Sequence, residues 1–186
     1  MEFIDYIKKR VDLPEGYLKN IDATFDRKEY SKGHVLYTQN SNSKNVFFIE
    51  KGFGRVFYLK DGKDITHFFI VENGISAPIE SLFYNQPSHC GMELIENSIV
   101  RSANYFELEK LISESAVTWK AIQMILIDVL KTFSDRLYTI QFQTAQERYN
   151  TMLENYPDIF LHAPLGHIAS YLGITQETLS RIRSGK

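Results

Sequence analysis

The sequence predicts an α+β protein: an N-terminal antiparallel jelly roll (a double-stranded β-helix), a long helix, and a C-terminal group of short helices. Three observations lead there. Up to about Ala103, short runs rich in Phe, Tyr, Val and Ile are separated by Gly and Asn marks at Lys32-Gly33, Asn40, Lys51-Gly52, Asp61-Gly62 and Glu72-Asn73-Gly74. Short strands with regular turn signals are the pattern of a barrel or jelly roll. From Tyr105 to about Gln146 apolar residues recur in steps of three and four, which is the helical period. Beyond Glu147, Pro157, Pro164 and Gly173 divide the remainder into three short helical segments.

The strands are expected at Val35–Thr38, Asn45–Glu50, Gly54–Leu59, Ile65–Val71, Cys90–Leu94 and Ser98–Ala103. Asp61-Gly62 reads as a hairpin turn, because both residues tolerate positive φ. The opening segment, Phe3 to Leu18, reads as short helices flanking the roll. In the long helix, Trp119, Ile122, Leu126, Val129, Phe133, Leu137 and Ile140 form one stripe. The run Ile122–Leu130 is apolar over more than that stripe, so two faces must be buried. One face can cover the roll. The other wants a partner, and a two-fold helix pair through Trp119, Ile122, Leu126, Val129 and Phe133 is the simplest. A helix buried within one subunit is the alternative.

Composition narrows the function classes. The 186 residues are 44% hydrophobic and 24% charged, an ordinary balance for a globular chain. The first ten residues carry Glu2, Asp5, Lys8, Lys9 and Arg10 rather than a secretory apolar core, and no apolar run could span a bilayer. A cytoplasmic protein is expected, with no membrane partner. Cys90 is the lone cysteine, so neither an internal disulfide nor a cysteine-ligated cluster can form. His34, His67, His89, His162 and His167 show no metal-binding spacing, and no metal site is predicted. No nucleophile elbow or clustered His and carboxylate set is found either, so the chain is not read as an enzyme. Net charge is −2, so any contact with nucleic acid must come from a local patch.

Residues 165–184 supply that patch. Ala169 is the small residue where two helices touch, and Gly173 allows a left-handed turn. Ile168, Leu172, Ile174, Leu179 and Ile182 supply the facing apolar sides. Thr175 can cap the last helix, with Glu177 in its first turn. Together these make a helix-turn-helix; an ordinary helical hairpin used for packing is the alternative. Gln176, Glu177, Ser180, Arg181 and Arg183 point away from the apolar side. Arg can grip guanine, Glu can accept from cytosine, and Gln can bind adenine or a phosphate. Arg183 and Lys186 suit phosphates better.

With these residues the sequence resembles the Crp/Fnr family of transcription regulators over nearly its whole length. Glu177-Thr-Leu-Ser-Arg181 is similar to the E-x-x-S-R signature with which Fnr-type members read DNA. Glu147-Arg148-Tyr149 followed by Pro157, and Ile168-Ala-Ser-Tyr-Leu-Gly-Ile-Thr with Leu-Ser-Arg-Ile-Arg, look like short Crp-like proteins of the Bacteroidetes. The resemblance implies a cyclic-nucleotide-binding-like roll over 1–115, a dimerisation helix over 116–145 and a DNA-binding unit over 146–186. It implies a homodimer on a palindrome in double-stranded DNA, with Thr175, Gln176, Glu177, Ser180, Arg181 and Arg183 at the DNA. RNA polymerase and a small-molecule effector are further implied partners. The chain ends at Lys186, where many members continue into a wing, so modest, salt-dependent affinity is expected. A ligand-sensing roll with weak or vestigial DNA binding is the alternative function.

The effector region departs from the family. Cyclic-nucleotide-binding members carry G-E-L, about ten residues, then R-S/T-A. Here the stretch is Ala77 to Gly91, in which Glu80 could stand near the family's Glu and His89-Cys90 takes the place of Arg-Ser. No Arg lies between Arg55 and Arg101, so a cyclic phosphate would meet no fixed cation. cAMP is therefore not the expected effector, and no cofactor is evident. Glu80, Ser81, His89 and Cys90 remain the candidate pocket residues. His and thiolate can be haem ligands, but packing or a surface turn is the favoured reading of His89 and Cys90.

Overall fold

The computed structural model describes residues 3–9, 12–113 and 116–185. Two short helices open the chain, α1 (Phe3–Lys8) and α2 (Glu15–Thr24). Eight strands follow: β1 (Asp26–Tyr30), β2 (Val35–Tyr37), β3 (Asn45–Lys51), β4 (Gly54–Lys60), β5 (Lys63–Ile70), β6 (Ile75–Ser76), β7 (Gly91–Leu94) and β8 (Ser98–Asn104). A helix of one turn, α3 (Ile79–Phe83), stands between β6 and β7. The remainder is helical: α4 (Tyr105–Ser113), α5 (Ala116–Phe142), α6 (Ala145–Asn155), α7 (Ile159–His162), α8 (Leu165–Leu172) and α9 (Gln176–Arg183).

The strands form two four-stranded antiparallel sheets, ordered β1-β8-β3-β6 and β2-β7-β4-β5. Phe47, Ile49 and Val100 of the first sheet meet Tyr37, Met92 and Leu94 of the second in the roll interior. Alternation along β3 sends Phe48 to the opposite face, where Phe3, Tyr6, Leu18 and Ile21 cover it. Each such buried large side chain contributes about 1.5–3 kcal/mol. The β4–β5 turn has φ of 53° at Asp61 and 74° at Gly62, the type I′ geometry that matches strand twist. On β5, Thr66 and Phe68 pair with the adjacent residues Phe57 and Val56, leaving His67 as a bulge.

A third core joins the roll to the C-terminal helices. Phe53, Phe69 and Ile95 pack with Met152, Ile159, Ile168, Ala169, Tyr171, Leu172 and Leu179. Thr144 caps α6 in a reciprocal capping box with Glu147. Gly173 ends α8 at φ 67° and ψ 35°, and the N–H of Ile174 returns to the Ala169 carbonyl as in a Schellman cap.

Several elements differ from expectation. β1 was not foreseen, because it is an edge strand whose residues Asp26 to Glu29 are exposed and charged. The two-residue β6 and the short α3 and α7 carry too few residues to show a period. The helical stretch from Tyr105 is two helices, α4 and α5. The greatest departure lies on α5. Among the described residues its deeply buried positions are Thr118, Arg136 and Thr139, while Leu126, Ile127, Leu130, Leu137 and Ile140 are at least half exposed. Among the described residues the most deeply buried positions of this helix are thus polar, and much of the apolar stripe is exposed.

Candidate functional site

The α9 helix presents one polar face. Leu179, 1% exposed, anchors the helix to Leu172 and Ile168 in the core. Thr175, Gln176, Glu177, Ser180, Arg181 and Arg183 are all exposed. Thr175 Oγ1 accepts from the Thr178 N–H at 3.2 Å, so its hydroxyl caps the helix. The Thr175 hydroxyl is also the main reason the Glu177 carboxyl lies below its ordinary range; the backbone N–H of Glu177 and the Arg181 charge add to it. Glu177 is therefore an anionic acceptor at neutral pH. Glu177 and Arg181 stand one turn apart, and Arg181 Nη2 reaches Thr178 Oγ1 at 3.2 Å. Gln176 leans across α8: a Cβ on Gly166 would lie 3.3 Å from its Nε2. Arg183 turns aside, with its guanidinium 4.3 Å over the Phe160 ring. The expected phosphate contact at Lys186 lies outside the described residues.

The α8 helix, which carries α9, is tied down on three sides by contacts to which the sequence reading assigned no role. Toward the roll, the Thr66 N–H donates to Ser170 Oγ at 2.9 Å, and the Ser170 hydroxyl meets the Asp64 carbonyl at 3.2 Å. Toward α5, Arg136 Nη2 donates to the Tyr171 carbonyl. Toward α6, Arg148 Nε donates to the Leu172 carbonyl at 2.9 Å. The two arginines meet the negative end of the α8 dipole. Beneath Ser170, buried Arg55 forms a fork with Asp64 and a second pair with Glu93, and also reaches Thr66 Oγ1 at 3.2 Å. Further along this seam His162 pairs with Glu96 at 2.7 Å and stacks on Phe53. Neither Arg136, one of several charges along α5, nor Ser170, quoted only within a longer motif, had a signal of its own in the sequence.

The effector region is more compact than its sequence suggests. Glu80 and His89 lie 3.4 Å apart. Cys90 is half-buried, and burial followed by the Glu80 charge pushes its thiol pKa up, so it is a thiol rather than a thiolate. Beside them the buried Tyr37 hydroxyl meets Ser76 Oγ at 3.1 Å. Burial, countered in part by the Ser76 hydrogen bond, pushes the Tyr37 pKa up to about 12. Ser81 is not part of this group's polar surface. It is fully buried, and its hydroxyl is engaged by the Ser41 and Gln86 carbonyls at 3.1 Å each. An open groove of about 690 Å³ lies elsewhere, lined by Thr24, Asp26, Asn45, Ser102, Asn104, Glu107 and Lys110, and includes none of these four candidates. Among the described residues no three His, Cys, Asp or Glu side chains gather as a metal site, and no helix is long and apolar enough to cross a membrane.

On α5, Trp119, Leu126, Val129 and Phe133 are exposed and Ile122 is partly buried. Phe133 also touches the roll, edge-on to Phe68 at 4.8 Å between ring centres.

Comparison with known proteins accords with this geometry. The cyclic nucleotide-binding domain family matches residues 27–115. No curated protein matches the sequence. Among solved structures, FixK2 of Bradyrhizobium japonicum is 24% identical with a TM-score of 0.74, over 87% of this chain and 83% of that one. A transcriptional regulator of the Crp/Fnr family from Eubacterium rectale is 16% identical with a TM-score of 0.71, over 92% and 82%. The c-di-GMP responsive regulator CLP of Xanthomonas campestris is 10% identical with a TM-score of 0.70, over 92% and 91%. Residues 27–115 thus match the cyclic nucleotide-binding domain family, and the chain as a whole has the fold of the Crp/Fnr regulators to which it is similar.

Proposed function

We propose that this protein is a cytoplasmic, homodimeric transcription regulator that reads a palindromic DNA site with α9. The observation that carries the reading is the α9 face itself: Glu177, Ser180 and Arg181 are exposed together on a helix whose other side is locked by Leu179. Arg181 would donate a bidentate pair to guanine O6 and N7, Glu177 would accept from cytosine N4, and Ser180 would bond to either. Gln176 and Arg183 would steady the helix on phosphates, with Thr175 holding its first turn. The exposed apolar stripe of α5 supports the dimer, since a contiguous patch of that extent marks an interaction surface and a two-fold copy matches it to itself. A two-fold pair sets the two α9 helices on half-sites about one helical turn apart.

The roll is the natural place for an effector, acting on the reader through the shared Phe53, Phe69 and Ile95 core. cAMP does not suit it. The Glu80–His89 pair offers a cyclic phosphate an anion and a largely exposed imidazole, with no guanidinium. The testing experiment is selection from a random duplex library at two salt concentrations. Enrichment of a palindrome with half-site centres about ten base pairs apart is expected. Uniform, salt-sensitive recovery of every duplex would overturn the reading.

A further inference from the structure

The strand order ends at β5, so one edge of that strand has no strand neighbour. Unpaired backbone groups on a sheet edge require partners when covered. Here α8 covers the edge, and a single hydroxyl satisfies two of its groups. Ser170 Oγ accepts from the Thr66 N–H at 2.9 Å and lies 3.2 Å from the Asp64 carbonyl, to which it donates. Tyr156 reaches the same edge, with its hydroxyl 3.5 Å from the Phe69 carbonyl. Ser170 thus stands where a neighbouring strand would stand. The edge it plugs is stiff, because Arg55 grips the Asp64 side chain from below and reaches Thr66 Oγ1. The other end of α8 is held to α5 through Arg136 and to α6 through Arg148.

Resting on the DNA-reading function above, we infer that Ser170 is a positioning residue that sets the separation of the two half-sites. The reasoning is geometric. In a dimer built along α5, the direction of α9 relative to the two-fold axis is set by where α8 is anchored. Arg136 and Arg148 fix the C-terminal end of α8, and Ser170 fixes its roll-facing side to β5. With all three anchors in place the two readers have one separation. Without the strand-edge anchor, α8 stays seated on the core through Ile168, Ala169, Tyr171 and Leu172, but that packing is non-directional, so the helix can shift by small rotations about its two arginines and each reader covers a range of directions. A bivalent binder gains most when its two heads match the span of the two sites, and a flexible linkage spreads that gain over many spans. The affinity of one α9 for one half-site does not depend on this anchor, because the reading face is exposed and its cap, Thr175, is local.

The test compares wild type, Ser170→Ala and Ser170→Thr on three kinds of duplex: the selected palindrome, versions with one to five base pairs inserted or removed between half-sites, and a single half-site. Hydrogen exchange of the Thr66 amide is followed in parallel. Wild type should prefer one spacing by about a hundredfold, as expected of matched bivalent binding. Ser170→Ala should expose the Thr66 amide to exchange and flatten the spacing preference by about tenfold or more, with half-site affinity unchanged. Ser170→Thr, which keeps the hydroxyl, should restore both. A fast Thr66 amide with an unaltered spacing profile would overturn the proposal, as would an unaltered Thr66 amide. Equal loss on half-site and palindrome would also overturn it, because the serine would then merely support the fold of the α8–α9 pair. A wild-type protein that binds no palindrome at any spacing would overturn the DNA-reading function, and this inference with it.

Discussion

The guanidinium of Arg136 lies 3.8 Å above the Tyr171 ring and donates to the Tyr171 carbonyl, while its Nε and Nη1 find no acceptor. Burial, with a smaller part from the Arg148 charge, pushes its pKa down, and among the described residues no carboxylate pairs with it. Position 136 lies beside the apolar stripe that runs from Trp119 through Phe133 to Leu137 and Ile140, and its cation turns inward while Leu137 and Ile140 face out. Arg136→Ala should destabilise the protein by about 1–3 kcal/mol, by orphaning a carbonyl and removing packing over Tyr171. Arg136→Met should cost less, since it keeps the stem and removes two unsatisfied donors. Urea denaturation of both variants measures the difference. Equal losses would mean that the charge itself holds α8.

The same seam makes stability pH-dependent. Burial, then the Arg136 charge, lowers the His67 pKa below its ordinary 6.5. Burial, then Arg55, lowers that of His167, with Asp64 and Glu93 opposing and Lys32 adding a little. Both imidazoles therefore take up a proton more readily in the unfolded chain. Their contribution is constant above the unfolded value and falls as pH drops through it, because the unfolded state binds more protons there. The denaturation midpoint should decline from about pH 6.5 downward. A His67→Gln, His167→Gln double variant should flatten that decline. Asp64, held low chiefly by the Arg55 hydrogen bonds, acts in a separate window below its ordinary 3.8.

The α5 stripe gives a prediction about assembly. Leu126 is 50% exposed in the protomer, so a charge there displaces little of the protomer's own core. Leu126→Arg should halve the hydrodynamic mass at micromolar concentration while leaving the circular dichroism unchanged. Two guanidiniums facing each other across a two-fold axis are destabilising by desolvation and like charge. A variant that remains dimeric would place the interface elsewhere.

Much of this architecture was written in local signals. The β4–β5 hairpin shows in Asp61-Gly62, because that turn needs two positive φ values. The α8–α9 turn shows in Gly173 and Thr175 for similar local reasons. β1 was silent, since an exposed edge strand has no need of alternation. The outward face of α9 was legible from periodicity, but its tilt was not: Gln176 leans on Gly166 and Arg183 on Phe160 through tertiary contacts. Ser170 was illegible for the plainest reason. A serine within a helix has no positional signal, and its partners Thr66 and Asp64 lie 104 and 106 residues away. The apolar excess on α5 did point to burial of two faces, yet among the described residues its most buried positions are Thr118, Arg136 and Thr139, which no hydrophobic pattern reveals.

The effector region yields a plain binding test. A ligand that binds only the folded state raises the melting temperature, and saturation at about a hundred times Kd adds about 2.7 kcal/mol. Millimolar cAMP should leave the melting temperature unchanged, because Glu80 and His89 supply no fixed cation for its phosphate. A rise of several degrees would overturn this expectation and assign the phosphate to other donors of the region, such as backbone N–H groups or Lys44, which donates to the Ser81 carbonyl.

Arg181 separates reading from mere attachment. Its side chain is exposed, stands one turn beyond the anionic Glu177, and among the described residues hydrogen-bonds Thr178 Oγ1 at 3.2 Å. It is thus free to leave that contact for a base edge. Arg181→Ala should weaken binding to the selected site by about 1–3 kcal/mol, the value of one bidentate base contact. Non-specific affinity should change far less than specific affinity. A phosphate contact would behave otherwise: its loss weakens all duplexes alike and lowers the slope of log K against log salt by about one. Titrations of specific and scrambled duplexes at several salt concentrations therefore distinguish the two roles. Loss confined to the specific duplex, with an unchanged salt slope, assigns Arg181 to a base. Equal loss on both duplexes with a reduced slope assigns it to the backbone, and leaves Glu177 and Ser180 as the remaining readers on that face.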